Sequence, residues 1–261
     1  MLERYVEASR KLDTSDFPWH RVSEHLLPAE ARHCLIYMAD IEGYTIGYLR
    51  DLLNTAAIDD PDIARFMTLW AYEEMFHQEA LERFLGELGV QFARDRQAWL
   101  RRSTPWWDRA MMLAASAVSR LTSDFIAVYM TWGAINELTT LTAYELLAER
   151  AGHALLADLL ARIVKDERRH YSFYYQQARL RLEQSALARR LTREIVRRFW
   201  RPVGNGVKTP DEMYATIGYC YGWDRGRAAM REVDERIAAL PGMAGFAMGQ
   251  EFLEEVARAR A

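Results

Sequence analysis

The chain has 261 residues, of which half are hydrophobic and 12% aromatic, so it can bury a sizeable core in one domain or two. Its formal net charge of −3 excludes the strongly basic character that a nucleic-acid-binding domain needs. No apolar run reaches the roughly 18 residues of a membrane span. Cys34 and Cys220 stand far apart in predicted helices, and we interpret them as buried thiols of a cytoplasmic protein.

Helix start and stop signals divide the chain into predicted helices, and no segment alternates with the period of a strand. Residues 1–27 are of mixed character, with Trp19 and the pair Leu26-Leu27 as packing points. N-caps followed by proline occur at Asp60-Pro61, Thr104-Pro105 and Thr209-Pro210, and Gly152 predicts a helix end. The predicted helices span residues 28–57, 60–86 (or to 89), 104–150, 153–184, 185–200 and 209–221. The helix at 104–150 has room for one break near 120–123. Two short helices follow a predicted turn at 222–227. Residues 90–103 are an arginine-rich connection with room for one helical turn at 97–100.

The segment from Ile163 to His170 is the most informative part of the sequence. Glu167 and His170 continue an apolar helical stripe through Leu156, Leu160 and Ile163, so both are expected to face the core. Burying an ionisable pair is costly unless something compensates for the lost hydration. A metal would compensate, although a single Glu-x-x-His pair is not evidence of a metal site.

A second Glu-x-x-His pair, Glu74 and His77, lies on the apolar stripe of the second predicted helix. Two helices that each place such a pair in a core are typical of four-helix bundles with two carboxylate-bound metals, which also use one Glu from each of the other two helices. Glu42 and Glu137 are the candidates. They precede the Glu of each pair by 74 − 42 = 32 and 167 − 137 = 30 residues, about one antiparallel helix pair.

The competing interpretation is that each Glu is a solvated surface residue. All six candidates lie on apolar stripes with matched spacing, which favours the metal site. The stripe around Glu42, for example, includes Met38 and Ile46. A third pair, Glu30 and His33, is interpreted as structural. Glu30 follows Pro28 at a helix start, where a carboxylate suits the helix dipole.

Three local motifs make this chain resemble the soluble acyl-acyl carrier protein desaturases, a ferritin-like di-iron family. Trp70-Ala-Tyr-Glu-Glu-Met-Phe-His77 is similar to the family's W-x-x-E-E-x-x-H, and Asp166-Glu-Arg-Arg-His170 is similar to its D-E-x-R-H. Glu137-Leu-Thr-Thr140 is similar to its third-helix Glu with Thr three residues later. The resemblance covers about residues 30–180. It implies an all-α, single-domain protein with a ferritin-like four-helix bundle core at about 28–184 and additional helices in 185–261.

The resemblance also implies a ligand set for two oxo- or hydroxo-bridged iron ions. Glu74 and Glu167 would bridge the irons, Glu42 and His77 would complete one, and Glu137 and His170 the other.

Three further roles follow from the resemblance. Asp166 would orient a ligand histidine from behind, with Trp70 nearby, and Thr140 would help deliver protons at the oxygen-binding face. The alternatives are that Trp70 only fills the core and that the Thr140 hydroxyl bonds back to the preceding turn.

The implied activity is O2-dependent desaturation of an acyl chain on acyl carrier protein, with electrons from a ferredoxin-like donor, by a cytoplasmic homodimer. An arginine-rich segment is a candidate docking site for the acidic carrier protein, with a solvated helix face as the alternative. Its residues are Arg189, Arg190, Arg193, Arg197 and Arg198.

Other reactions on the same scaffold stay open. A related N-oxygenase family carries an additional ligand His at the position of Ile163, which argues against that activity here. A hydroxylase or an aldehyde oxygenase remains open. The alternative from another class is a non-catalytic ferritin-like iron-binding protein.

Overall fold

The computed structural model describes residues 2–103 and 106–260, which form eleven α-helices. The helices are α1 Leu2–Ala8, α2 Ala29–Leu53, α3 Pro61–Glu87, α4 Arg96–Ser103, α5 Trp106–Leu121, α6 Ile126–Ala151, α7 Ala154–Gln184, α8 Ala186–Phe199, α9 Pro210–Tyr221, α10 Asp224–Ala238 and α11 Met248–Ala259. Within the described residues there is no strand, only an isolated bridge between Asn205 and Lys208. The all-α prediction is confirmed.

Four long helices form the bundle core as two packed pairs, α2 with α3 and α6 with α7. The pairs meet through contacts of α3 with α7 and of α2 with α6. Fully buried apolar side chains such as Leu35, Phe66 and Ile163 fill the space between them. The turn between α6 and α7 needs only two residues because Gly152 takes a left-handed conformation, with φ of 65°, that terminates α6.

The capping signals place helix ends where the sequence predicts them. The Asp60 side chain accepts hydrogen bonds from the backbone N–H groups of Asp62 and Ile63 at the start of α3. Thr209 and Glu212 form a reciprocal capping box at the start of α9. The predicted break after Arg120 is also confirmed, because α5 ends at Leu121 and α6 begins at Ile126. The predicted cap at Thr104-Pro105 lies outside the described residues.

Four details of the sequence prediction are wrong. Leu26 is 95% exposed and Ile46 is 53% exposed, so neither packs in the core. The first long helix ends at Leu53, because Thr55 caps a separate 3-10 turn over Ala56–Asp59. The predicted turn at 222–227 is shorter, since α10 begins at Asp224.

The C-terminal helices cover one side of the bundle. α9 packs on α2 and α6, α10 packs on α6, and α11 packs on α9 and α10. The connection between α8 and α9 is fastened to α2, because Tyr37 donates a hydrogen bond to the Val203 carbonyl (2.6 Å) and Lys208 pairs with buried Asp40 (2.8 Å). No helix in the described part of the chain is long and apolar enough to cross a membrane.

Candidate metal centre

The structure brings all six predicted ligand residues together in the middle of the bundle. Their ligand atoms form two overlapping groups, each with atoms within 4.8 Å of one another. One group is Glu42, Glu74, His77 and Glu167; the other is Glu74, Glu137, Glu167 and His170. All six side chains are buried, and each long bundle helix contributes at least one. By contrast, Glu30 of the third pair is exposed, as its structural interpretation requires.

Glu74 and Glu167 belong to both groups and lie between the two imidazoles. His77 Nδ1 is 3.2 Å from Glu74 Oε2 and 3.2 Å from Glu167 Oε1. His170 Nδ1 is 3.1 Å from Glu74 Oε1 and 3.5 Å from Glu167 Oε2. The arrangement is nearly two-fold symmetric, because α3 and α7 each supply one Glu and one His with the same spacing.

The other two carboxylates close the opposite side of the centre. Glu137 Oε2 from α6 is 3.7 Å from His170 Nδ1. Glu42 from α2 accepts a hydrogen bond from the buried hydroxyl of Tyr144. This side of the centre therefore consists of one carboxylate from α2 and one from α6.

An outer carboxylate holds each histidine from behind. Asp166 Oδ2 lies 3.2 Å from His77 Nε2, as the desaturase resemblance implies. Glu73 Oε2 lies 2.8 Å from His170 Nε2. A carboxylate on Nε2 fixes the ring so that Nδ1 faces the centre, which is how outer partners orient ligand histidines.

Sequence reasoning missed Glu73, and with it two residues that anchor Glu73. The hydroxyl of Tyr5 in α1 donates to Glu73 Oε2 (2.7 Å), and Arg169 binds both Glu73 Oε1 and Asp166 Oδ1 (2.6 Å each). A sequence signal for Glu73 existed: it precedes Glu74 just as Asp166 precedes Glu167. No local signal pointed to Tyr5, because it reaches the centre from an N-terminal helix 68 residues away.

Burial and mutual repulsion set the ionisation of the centre. The pKa values of Glu42 and Glu137 are raised well above the ordinary value, first by burial and then by the charges of Glu74 and Glu167 respectively. Burial would lower the pKa of His77, but hydrogen bonds to Asp166 and Glu167 outweigh it and raise that pKa. Burial alone would raise the pKa of Glu73. The hydrogen bond to His170 outweighs this effect and lowers that pKa to about 2.

The residues present suit a metal. Glu167 Oε1 and His170 Nδ1 are buried and have no hydrogen-bond partner among the described residues, although acidic or imidazole groups lie close to both. Four carboxylates and two imidazoles form a donor set for iron and similar first-row metals. Cations would satisfy these converging atoms and compensate the repulsion between the carboxylates.

An apolar cavity begins at the Glu42 side of the centre. Its lining includes Glu42, its hydrogen-bond partner Tyr144, and Thr140. The rest of its wall comes from α2, α6, the segment after α8, and the C-terminal helices α9, α10 and α11. Apolar wall residues include Met38, Ile41, Ala143, Ile217, Met230 and Phe252. The additional C-terminal helices thus form the outer wall of a chamber beside the centre.

The remaining predicted site residues have separate positions. Thr140 lines the cavity, whereas its neighbour Thr139 donates back to the Ile135 carbonyl (2.9 Å). Trp70 is buried and packs edge to face on Tyr174, with ring centroids 5.9 Å apart. Ile163, where the N-oxygenases carry a histidine, is fully buried and apolar.

Only part of the arginine segment is available at the surface. Arg189 donates to the Leu182 carbonyl (2.7 Å), and Arg193 donates to the carbonyls of Gly242 and Ala244. These two residues are half-buried and fasten α8 to its neighbours. Arg190, Arg197 and Arg198 are exposed.

The helical bundle and its buried carboxylate–histidine cluster support placing this chain in the ferritin-like superfamily. Residues 53–178 match the Rubrerythrin family model. The matched range contains α3, α6 and α7 with five of the six clustered residues, and it begins after Glu42. The match supports the superfamily but not the desaturase family in particular. No curated protein matches the chain.

Proposed function

We propose that this protein is an O2-dependent di-iron oxidoreductase that dehydrogenates an acyl chain carried on acyl carrier protein. The observation that carries the proposal is the position of the cavity: an apolar chamber meets the carboxylate–histidine cluster at Glu42. A ferritin-like domain with a buried carboxylate–histidine cluster is consistent with oxidoreductase activity. The chamber supplies room beside the centre for an apolar substrate.

Two iron ions would be held by the six clustered residues, with Glu74 and Glu167 shared between them. Iron held there supplies the electron-transfer chemistry with O2 that protein side chains lack. Asp166 and Glu73 keep the Nδ1 atoms of both histidines directed inward. The apolar wall would exclude water from the substrate, and the hydroxyl of Thr140, a lining residue of the cavity, would hold a proton there.

The overall reaction balances with an external electron donor. Removal of two hydrogens from adjacent carbons, together with O2, two electrons and two protons, yields an alkene and two water molecules. A ferredoxin-like protein is the proposed donor. We further propose that the bundle and the C-terminal helices act as one domain, because both contribute walls to the chamber.

The alternative reactions differ in their products. Hydroxylation on the same scaffold would add one oxygen to the substrate, whereas an aldehyde oxygenase or N-oxygenase would act on other substrates. A non-catalytic iron-binding protein would oxidise iron without changing any organic molecule. Extra helices that enclose an apolar chamber favour an enzyme over iron storage.

The proposal predicts a specific mass change. Iron-loaded, reduced protein would be given O2 and a panel of acyl carrier protein thioesters, and the acyl groups analysed by intact mass spectrometry. Loss of two hydrogens is expected, whereas gain of one oxygen indicates hydroxylation. An unchanged mass for carrier-bound chains, coenzyme A esters and free acids, with iron loaded and reducible, contradicts the acyl substrate.

Ala143 provides a control that separates the cavity from the metal site. Ala143 lines the chamber, so Ala143→Trp would fill it while leaving all six clustered residues in place. We expect this variant to bind iron and lose turnover. Ala161→Trp is the matched control, because Ala161 is exposed on α7. A smaller Ala143→Leu variant reports a partial loss if the larger side chain disturbs folding.

The exposed arginines of α8 give a separate prediction about the carrier protein. Arg197→Glu with Arg198→Glu reverses two charges on an exposed face and is expected to weaken binding of an acidic carrier about tenfold or more at low salt, with a smaller effect at high salt. Binding would be measured by surface plasmon resonance. The control is Arg179→Glu with Arg168→Glu on exposed parts of α7. Equal affinity of wild type and the α8 variant would remove this segment from the docking site.

A further inference from the structure

Glu73, the outer carboxylate behind His170, is held by partners on both of its oxygens. Its Oε2 atom accepts a hydrogen bond from the Tyr5 hydroxyl (2.7 Å) and lies 2.8 Å from His170 Nε2. Its Oε1 atom accepts from Arg169 (2.6 Å) and from the backbone N–H of Arg10 (3.3 Å). A carboxylate offers about four lone pairs to donors, so four partners fix this side chain in one orientation.

The corresponding carboxylate behind His77 is held less completely. Asp166 Oδ2 lies 3.2 Å from His77 Nε2, and Asp166 Oδ1 accepts from Arg169 (2.6 Å). Among the described residues Asp166 has these two side-chain partners, whereas Glu73 has four partners in all. The side chain of Glu73 is fully buried, and that of Asp166 is 11% exposed. The near two-fold symmetry of the centre is therefore broken in the layer behind the histidines.

The N-terminal helix α1 contributes to this difference through Tyr5. Tyr5 is 4% exposed, and its ring packs on Phe66 and Phe173 with ring centroids 5.0 Å and 6.2 Å away. These ring contacts fix the position from which the hydroxyl donates to Glu73. Tyr5 lies outside the range 53–178 that matches the family model, so that match does not account for it.

We propose that Tyr5 is a positioning residue that makes the metal position at His170 the tighter of the two. Loss of an outer partner that holds the second ring nitrogen of a ligand histidine typically weakens metal binding by about 10- to 100-fold. Glu73 is that partner for His170, and Tyr5 acts through Glu73. The inference rests on the metal centre of the proposed function, and it adds an inequality between the two metal positions and a role for α1.

The test measures the binding of cobalt(II) without any turnover. Full-length, metal-free protein is titrated with cobalt(II) in competition with a chromophoric chelator, and the visible d–d bands are recorded in a second titration without the chelator. The wild type is expected to bind two ions with unequal affinities. Tyr5→Phe keeps the ring and removes only the hydroxyl. It is expected to weaken the tighter step about tenfold and to change the d–d bands of that step alone.

Two histidine backgrounds identify the metal position that is affected. In His77→Ala the remaining ion is expected at His170, so addition of Tyr5→Phe should again weaken binding about tenfold. In His170→Ala the remaining ion is expected at His77, and addition of Tyr5→Phe should leave its affinity unchanged. A general loss of stability would weaken binding in both backgrounds alike, so the comparison separates positioning from a purely structural effect.

Tyr214→Phe is the matched control. Tyr214 also donates to a glutamate, Glu255 (2.8 Å), but this hydrogen bond is exposed and neither residue belongs to the cluster. The variant is expected to leave both cobalt steps unchanged. Urea denaturation of the metal-free proteins checks that both phenylalanine variants fold.

The outcomes separate this inference from the proposed function. Equal affinities of the two wild-type steps overturn the inference while the metal centre stands. So do affinities that Tyr5→Phe leaves unchanged, raises, or lowers equally in the two histidine backgrounds. If either histidine variant binds no cobalt, the two steps of the wild type and of Tyr5→Phe decide alone.

The remaining outcomes concern the metal centre and the reaction. A wild type that binds no metal overturns both the inference and the metal centre. A loss confined to the His170 position supports the inference even if every acyl thioester is returned unchanged, in which case only the proposed reaction is wrong.

Discussion

Replacement of His170 or Glu74 by alanine is expected to abolish stable binding of two irons per chain. Each residue contributes an atom that converges on the cluster from a buried position, and Glu74 belongs to both groups of ligand atoms. Loss of Glu74 should therefore affect both ions, whereas loss of His170 should affect mainly one. Iron would be measured by elemental analysis after anaerobic loading and gel filtration, with helix content followed by circular dichroism.

The third Glu-x-x-His pair provides controls with the same residue types. Glu30→Ala and His33→Ala alter a pair that lies outside the cluster on α2, so both variants are expected to bind as much iron as the wild type. Glu74→Gln and Glu167→Gln preserve volume, in case the alanine variants fold poorly. Full iron occupancy in both His170→Ala and Glu74→Ala would show that these residues are not ligands.

Metal loading is expected to raise the free energy of unfolding strongly, and the increase is expected to be larger at higher pH. A ligand that binds only the folded state, at a thousand times its dissociation constant, adds about 4 kcal/mol to the free energy of unfolding. The measurement is anaerobic urea denaturation with and without ferrous iron, at pH values of about 6 and about 8. Zinc would serve as a redox-inert comparison.

The sign of the pH effect follows from the raised pKa values. Glu42, Glu137 and His77 all have folded-state pKa values above their unfolded values. Their contribution to metal-free stability is therefore present below the unfolded pKa values, about 4.3 for Glu and 6.5 for His, and is lost as the pH rises through the folded values. Metal ligands must be deprotonated. The increase in the free energy of unfolding due to metal therefore grows over the same pH range.

A ligand variant should respond in the opposite direction. Glu137→Gln removes a buried carboxylate whose pKa is raised, so it is expected to stabilise the metal-free protein and to lose most of the increase in unfolding free energy due to metal. An increase that is the same in wild type and Glu137→Gln, or one that shrinks as the pH rises, would contradict the assignment of these residues to a metal centre.

Local sequence patterns were enough to predict the long helices and the six clustered residues. Asp60, Gly152 and Thr209 act through hydrogen bonds or backbone conformations within a few residues, so their effects can be read locally. The clustered Glu and His residues were predictable because an α-helix repeats every 3.6 residues, and polar residues on an apolar stripe must enter the core with their neighbours. The same rule failed for Ile46, which lies within its stripe and is still 53% exposed, because the packing of neighbouring helices decides the exposure there.

The surroundings of the cluster depend on contacts between segments that are far apart in the chain. Tyr5 reaches Glu73, and Tyr221 reaches the Thr139 carbonyl, through contacts between segments 68 and 82 residues apart. Arg193 looked like part of a docking surface, but it bonds to carbonyls of the chain beyond α10. The chamber likewise exists because α9, α10 and α11 fold back over α2 and α6. The relative placement of distant helices depends on how whole surfaces pack, and no local sequence pattern specifies it.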